Sequence, residues 1–155
     1  MTRSAVVVIL ILGGCGGGGG SVDAGPPPVF PADYLSTYQE VRNCRNSIEH
    51  GAVRIRVLAS PDAVTPYVDR AAPFPVGAIL LKEERDDSDL DCSGPIVNFT
   101  VMQQLAAGTD PVNLDWTWQE VDPELNVRAT DIKRCSQCHA SCVPPEGYEH
   151  TCTVP

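Results

Sequence analysis

Apolar and polar positions alternate in several short runs through the middle of this chain. In "VRIRVLA", Val53, Ile55 and Val57 alternate with Arg54 and Arg56, which predicts a half-buried strand. Further strands are expected over Ala78–Glu84, over "IVNFTVM" (Ile96–Met102) and over "LDWTWQEV" (Leu114–Val121). The last turns through Asp122-Pro123-Glu124 into "LNVRA". Leu35, Tyr38, Val41 and Cys44 recur at a spacing of three, so a helix over Tyr34–Cys44 capped by Asp33 is expected. Ser60 and Pro61 suit the N-cap and first position of a short helix that Pro66 limits. Asp131 is placed to cap a final short helix that carries cysteines. The expected class is α+β: a single domain with an antiparallel β-sheet meander and flanking helices.

The pattern changes upstream. Arg3 precedes "AVVVILIL" (Ala5–Leu12), an apolar run too short to span a bilayer but of the length of a signal-peptide core. "LGGC", ending at Cys15, resembles the lipobox of bacterial lipoproteins. That resemblance implies cleavage before Cys15 and a diacylglycerol on its sulfur; Gly16 in place of Asp implies an outer-membrane anchor. "GGGGGSVDAGPPPV" is too rich in Gly and Pro to pack a core, and as a tether it reaches at most about 50 Å. The chain therefore divides into residues 1–14 as a lipoprotein signal peptide, 15–30 as a lipidated cysteine and tether, and 31–155 as one domain. The protein is expected to be exported and lipid-anchored, on the periplasmic or surface face of the outer membrane.

Charge narrows the partners. Eleven Lys and Arg stand against 20 Asp and Glu, a formal charge of −9. Phosphate backbones would be repelled, so nucleic acid is excluded as a partner. A grip on anionic lipid beyond the anchor itself is disfavoured for the same reason.

Seven cysteines are present, and lipidation of Cys15 leaves six in an oxidising compartment. Cys135 and Cys138 are followed at once by His139, giving C-x-x-C-H, the haem c attachment pattern. That spacing lets two thioethers reach two vinyl groups from one side while the adjacent imidazole binds iron. Cys44, Cys92, Cys142 and Cys152 then remain as disulfide candidates, with three formal connectivities. The preferred pairing clips the tail through Cys142–Cys152 and ties Cys44 to Cys92 in the acidic loop. Three rivals stay open. Zinc could use Cys135, Cys138 and Cys142 with His150 or Cys152; Cys135 and Cys138 could be a redox pair, although no βαβ unit precedes them; or all six cysteines could form disulfides.

"PFPVGAILLKEE" (Pro73–Glu84), "LDWTWQEV" and "CSQCH" (Cys135–His139) together resemble the cytochrome P-460 family in order and spacing. "HGAVRIRVLASPDA" (His50–Ala63) is similar to that family's early strand and helix start, so the resemblance covers nearly all of the domain from about Tyr34. It implies haem c bound through Cys135, Cys138 and His139, with His139 the axial iron ligand on a C-terminal haem-attachment helix. It also implies a bond from Lys82 to the porphyrin edge, a five-coordinate iron, and oxidation of hydroxylamine or binding of nitric oxide. Electrons would pass to a partner cytochrome. Relatives without the lysine bond bind gases without oxidising hydroxylamine. Cys44, Cys92, Cys142 and Cys152 are additions to the family pattern.

Strand alternation places Lys82 on the face of Ala78 and Leu80, turned inward; pairing with Glu83 or Glu84 is the alternative. No motif marks a distal acid–base residue, and Glu120 and Asp115 are nominal candidates. His50 either closes a helical turn before Gly51 or sits near the haem. Met102 is read as core rather than a sixth ligand. Trp116 and Trp118 share one face and either wall the pocket or fill the core. "DSDLD" (Asp87–Asp91) lacks the glycine and terminal glutamate of a calcium loop and is read as a solvated turn. Two other classes are kept beside the enzyme: a non-catalytic haem protein for gas binding or electron transfer, and a haem-free surface module stapled by disulfides or zinc.

Overall fold

A computed structural model describes residues 25–152. The signal peptide, Cys15 and most of the tether lie outside the described residues. Six strands form one sheet: β1 (Gln39–Ser47), β2 (Val53–Ala59), β3 (Ile79–Arg85), β4 (Asn98–Gln104), β5 (Trp116–Val121) and β6 (Val127–Thr130). They pair antiparallel in chain order from β1 to β6. Two short helices, α1 (Val64–Asp69) and α2 (Lys133–His139), complete an α+β domain that is mostly sheet. Among the described residues no helix is long and apolar enough to cross a membrane.

The expected first helix is not formed. Only Tyr34–Ser36 makes a single helical turn, and Gln39–Ser47 pairs with β2 as an edge strand. Its register slips between Glu40 and Arg42 and again between Arg42 and Arg45. Those slips break the two-residue alternation that would have marked a strand, and leave a spacing of three that mimics a helix. Leu35, the first of the four positions spaced by three, is 62% exposed.

Ser60 also differs from expectation. Its Oγ accepts from the Ile79 amide at 2.9 Å and donates to Asp62 at 2.5 Å, so it joins the end of β2 to the start of β3. Helix α1 begins four residues later, with Pro66 in the first turn, where an amide hydrogen would be unpartnered anyway. Asp131 makes no cap to α2; it has φ 52°, and Ile132 precedes the helix instead.

The sheet is covered on both faces, so β3 is buried along its whole length. One face carries Ile55, Val57, Tyr67, Phe74, Leu80, Met102, Trp116 and Trp118. The other carries Phe30, Tyr34, Leu58, Leu81, Phe99 and Val121, with the N-terminal segment folded over it. The Val29 amide donates to Gln119 Oε1 at 2.9 Å and Phe30 is buried against Tyr34 and Phe99. Val29 and Phe30 thus pack with this face of the sheet.

Two disulfides are formed, Cys44–Cys92 and Cys142–Cys152, the pairing preferred from the sequence. Cys44–Cys92 spans 48 residues and fastens the edge strand to the acidic loop. Cys44→Ala with Cys92→Ala is expected to cost about 4 kcal/mol by loop-closure entropy, read from the urea midpoint under non-reducing conditions.

Candidate functional site

The first face of the sheet is not filled by side chains throughout. Between it and α2 lies a cavity of about 680 Å³, within the range of about 300–1,000 Å³ typical of small-molecule and cofactor sites. Its lining includes Lys82, Trp118, Cys135, Cys138 and His139.

Helix α2 brings the last three together. Positions i, i+3 and i+4 share one helix face, so the C-x-x-C-H spacing turns both thiols and the imidazole toward the same space. Cys135 and Cys138 are the free cysteines among the described residues. Burial raises the Cys135 thiol above its ordinary pKa, with Arg134 and Lys82 opposing. His139 is buried, and its ring lies edge-on to Trp118 with centroids 4.7 Å apart. Its Nδ1–H donates to the His150 carbonyl at 2.6 Å, which leaves Nε2 as the nitrogen with a free lone pair. Burial first, and Lys82 second, push its pKa down to about 4.

Lys82 points where alternation placed it. It stands on β3 opposite Val57 and Thr100, in the cavity wall, and is 8% exposed. Glu83 lies on the opposite face of the sheet, bound to Tyr34 and two arginines, so it is no partner for Lys82. Glu84 shares the Lys82 face and is held by Asn98 Nδ2 and Thr100 Oγ1, each at 2.9 Å. The hydrogen-bond partner of Lys82 is His50, with Nζ 3.1 Å from Nε2. His50 Nδ1 in turn donates to Ser47 Oγ at 2.7 Å. His50 stands between a turn and the cavity. It ends a helical turn before Gly51, which has φ 93° in the left-handed region, and it borders the cavity.

Burial governs this pair. The Lys82 ammonium is lowered to about 8 by desolvation, with Glu84 pulling it back up and Arg42 pushing it further down. Desolvation, then Lys82 and His139, hold His50 down to about 3. A neutral His50 accepts a hydrogen bond from Lys82; a protonated one would face it as a second cation.

The consequence has a definite sign. Both histidines bind protons less readily in the folded chain, so stability is full above pH 6.5 and falls as the pH drops through 4, for His139, to 3, for His50. In the haem-free protein urea midpoints are expected to fall across that window, by several kcal/mol in all. His50→Gln should flatten part of the slope; an unchanged slope would place its origin elsewhere.

The nominal acid–base residues separate. Asp115 accepts from the Gly108 and Asp110 amides at 2.8 Å each, which hold its carboxyl below the usual range and make it a turn organiser. Glu120 lines the cavity and is paired with Arg134. Met102 belongs to the core and also touches the cavity, and Trp118 is both core and cavity wall. Within "DSDLD", Asp89 accepts from the Ser93 and Gly94 amides and Asp91 from Ser93, so these carboxylates close their own turn. Among the described residues no three His, Cys, Asp or Glu side chains converge on a metal-sized site. The mutual bond of Cys142 and Cys152 takes both out of any zinc set.

The chain matches no family model and no curated protein.

The donor set suits haem c. Two unpaired thiols, one imidazole nitrogen left free by a bond at the other, and a cavity walled by both apolar and charged side chains stand together, while the other cysteines among the described residues are disulfide-bonded.

Proposed function

We propose that this chain is an exported, lipid-anchored monohaem c protein of the cytochrome P-460 type. The observation that carries the reading is the sparing of Cys135 and Cys138: among the described residues four cysteines pair off, and the two left free belong to C-x-x-C-H beside the cavity. Cys135 and Cys138 would hold the cofactor by thioethers and His139 would ligate iron through Nε2. Bound haem supplies an iron centre that takes small nitrogenous ligands, hydroxylamine or nitric oxide, and exchanges electrons with a partner cytochrome.

The chain's own groups divide the remaining work. Trp118 and the His150 carbonyl fix the His139 ring. Lys82 presents an amine to the cavity, hydrogen-bonded to His50 Nε2, and its burial favours the neutral form in which an amine can act as a nucleophile. Glu49, which is exposed, and the more buried Glu84 and Glu120 are the carboxylates among the described residues that border the cavity, and the latter two are paired. A second reading, gas binding or electron transfer without catalysis, is favoured by their pairing. Glu84 accepts two side-chain hydrogen bonds and Glu120 is tied to Arg134, so neither is free to take a proton from a ligand.

Expression with the haem c maturation machinery, followed by acid–acetone extraction, tests the core of the proposal. A haem band should stay with the protein and vanish in Cys135→Ser with Cys138→Ser. Complete extraction from the native chain would leave the disulfide-stapled module as the better description. If haem is retained, turnover of hydroxylamine separates the enzyme from the gas binder.

A further inference from the structure

The segment after α2 looks at first like a tail fastened for stability. It is built more closely than that requires. Cys142 and Cys152 are bonded, the His150 amide donates to the Cys142 carbonyl at 3.0 Å, and Tyr148 bridges to Thr151. Thr151 Oγ1 also donates to the Tyr148 carbonyl at 2.6 Å. Glu149 and His150 sit at φ 47° and 67°, a left-handed conformation that side chains other than glycine resist and that this cross-linking maintains. Gly147 lies so close to Cys142 that an added Cβ would come within 2.5 Å of its carbonyl carbon. The whole arrangement ends in one functional contact: the His150 carbonyl accepts the Nδ1–H of His139, and His150 Nδ1 returns to the His139 carbonyl at 3.3 Å.

We propose that the Cys142–Cys152 clip is a positioning device for His139, fixing the tautomer and orientation of the imidazole through the His150 carbonyl. A ligating histidine needs its second nitrogen hydrogen-bonded to hold the ring and raise its basicity. Here the acceptor is a main-chain carbonyl in a conformation that the disulfide enforces. The clip has a second effect: it withdraws Cys142, which stands one helical turn beyond Cys138, from competition for Cys135 and Cys138 in an oxidising compartment. The consequence for iron rests on the functional reading above, whereas the contact between clip and ring does not.

The test uses two variants of the full chain. Cys142→Ser with Cys152→Ser opens the clip, and Gly147→Ala displaces it while leaving every thiol in place. In the haem-free chain, nitrogen-15 spectra of the His139 ring should show the Nδ1–H tautomer alone in the native protein and a mixture in both variants. In the haem-loaded, ferrous protein, the iron–histidine stretching band should move to lower frequency and the reduction potential should rise, as a less basic imidazole stabilises ferric iron less. Haem should stay covalently attached, because Cys135 and Cys138 are untouched. Lower thermal midpoints with an unchanged tautomer and an unchanged band would reduce the clip to a staple and overturn the proposal. Loss of covalent haem from the native chain would instead count against the functional reading, and the tautomer measurement would still decide this one. If the double variant does not fold, Gly147→Ala and the native protein before and after phosphine reduction carry the test. A Cys44→Ala, Cys92→Ala background shows whether the response to reductant comes from the clip.

Discussion

Glu83→Ala is expected to destabilise the protein by about 3–5 kcal/mol while leaving any haem spectrum unchanged. Glu83 is fully buried at the centre of β3, on the face away from the cavity. One carboxylate oxygen accepts from the Tyr34 hydroxyl at 2.7 Å; the other accepts from Arg56 Nη2 at 2.6 Å and Arg85 Nη2 at 2.9 Å. Burial first, and the hydrogen bond to Glu83 second, raise the Tyr34 hydroxyl well above its usual range, so it remains a donor at every working pH. Removing the carboxylate leaves two guanidinium groups facing each other with no anion between them. Arg85, with its side chain only 6% exposed, cannot turn out to water. Glu83→Gln keeps an acceptor but not the charge, so its cost should fall between that of alanine and native. Denaturant midpoints of the three proteins check the order, and equal costs for Gln and Ala would mean that the charge contributes little.

Lys82→Met should move stability the other way. Desolvation lowers the ammonium from 10.5 to about 8, so at neutral pH the folded chain holds a charge that it disfavours. One pKa unit corresponds to about 1.4 kcal/mol, and the apolar isostere is expected to stabilise the haem-free protein by roughly 2–3 kcal/mol at pH 7. The sign is testable through pH. Between 8 and 10.5 the unfolded chain binds more protons than the folded one, so native stability rises with pH in that window and the variant's does not. A variant less stable than native at pH 7 would show that His50 and Glu84 compensate the charge fully. A buried lysine kept at a cost in stability, in the wall of a cavity, is what a functional amine looks like.

Much of the sheet was legible because central strands obey simple rules. Alternation located β2 and β5 within two residues at each end, and it correctly turned Lys82 toward Leu80 and away from Glu83. Cysteine arithmetic led to the two disulfides, because setting aside Cys15 and the C-x-x-C-H pair leaves four cysteines and only three pairings. What failed was β1. An edge strand with two register slips has no clean period, and its place is fixed by Cys92, far along the chain. The contacts of His50 were hidden for a related reason. Its approach to Lys82 depends on the pairing of β2 with β3 and on the turn at Ile48–His50, neither of which local spacing encodes. Trp118 against His139 likewise depends on how α2 returns to β5. The Glu84 carboxylate could have been found: it is two residues from Lys82 on the same strand, and so faces the same side.

An open sheet has two rims, and each could recruit a strand from another molecule. β6 is only four residues long, too short to template a stable addition. β1 is longer, but its two slips bend the hydrogen-bonding row, and Glu40, Arg42 and Arg45 place charges along it. The irregularity that hid β1 from the sequence pattern thus has a use. It lets molecules crowd together at high local concentration without zipping edge to edge, so light scattering should stay that of separate particles as the protein is concentrated.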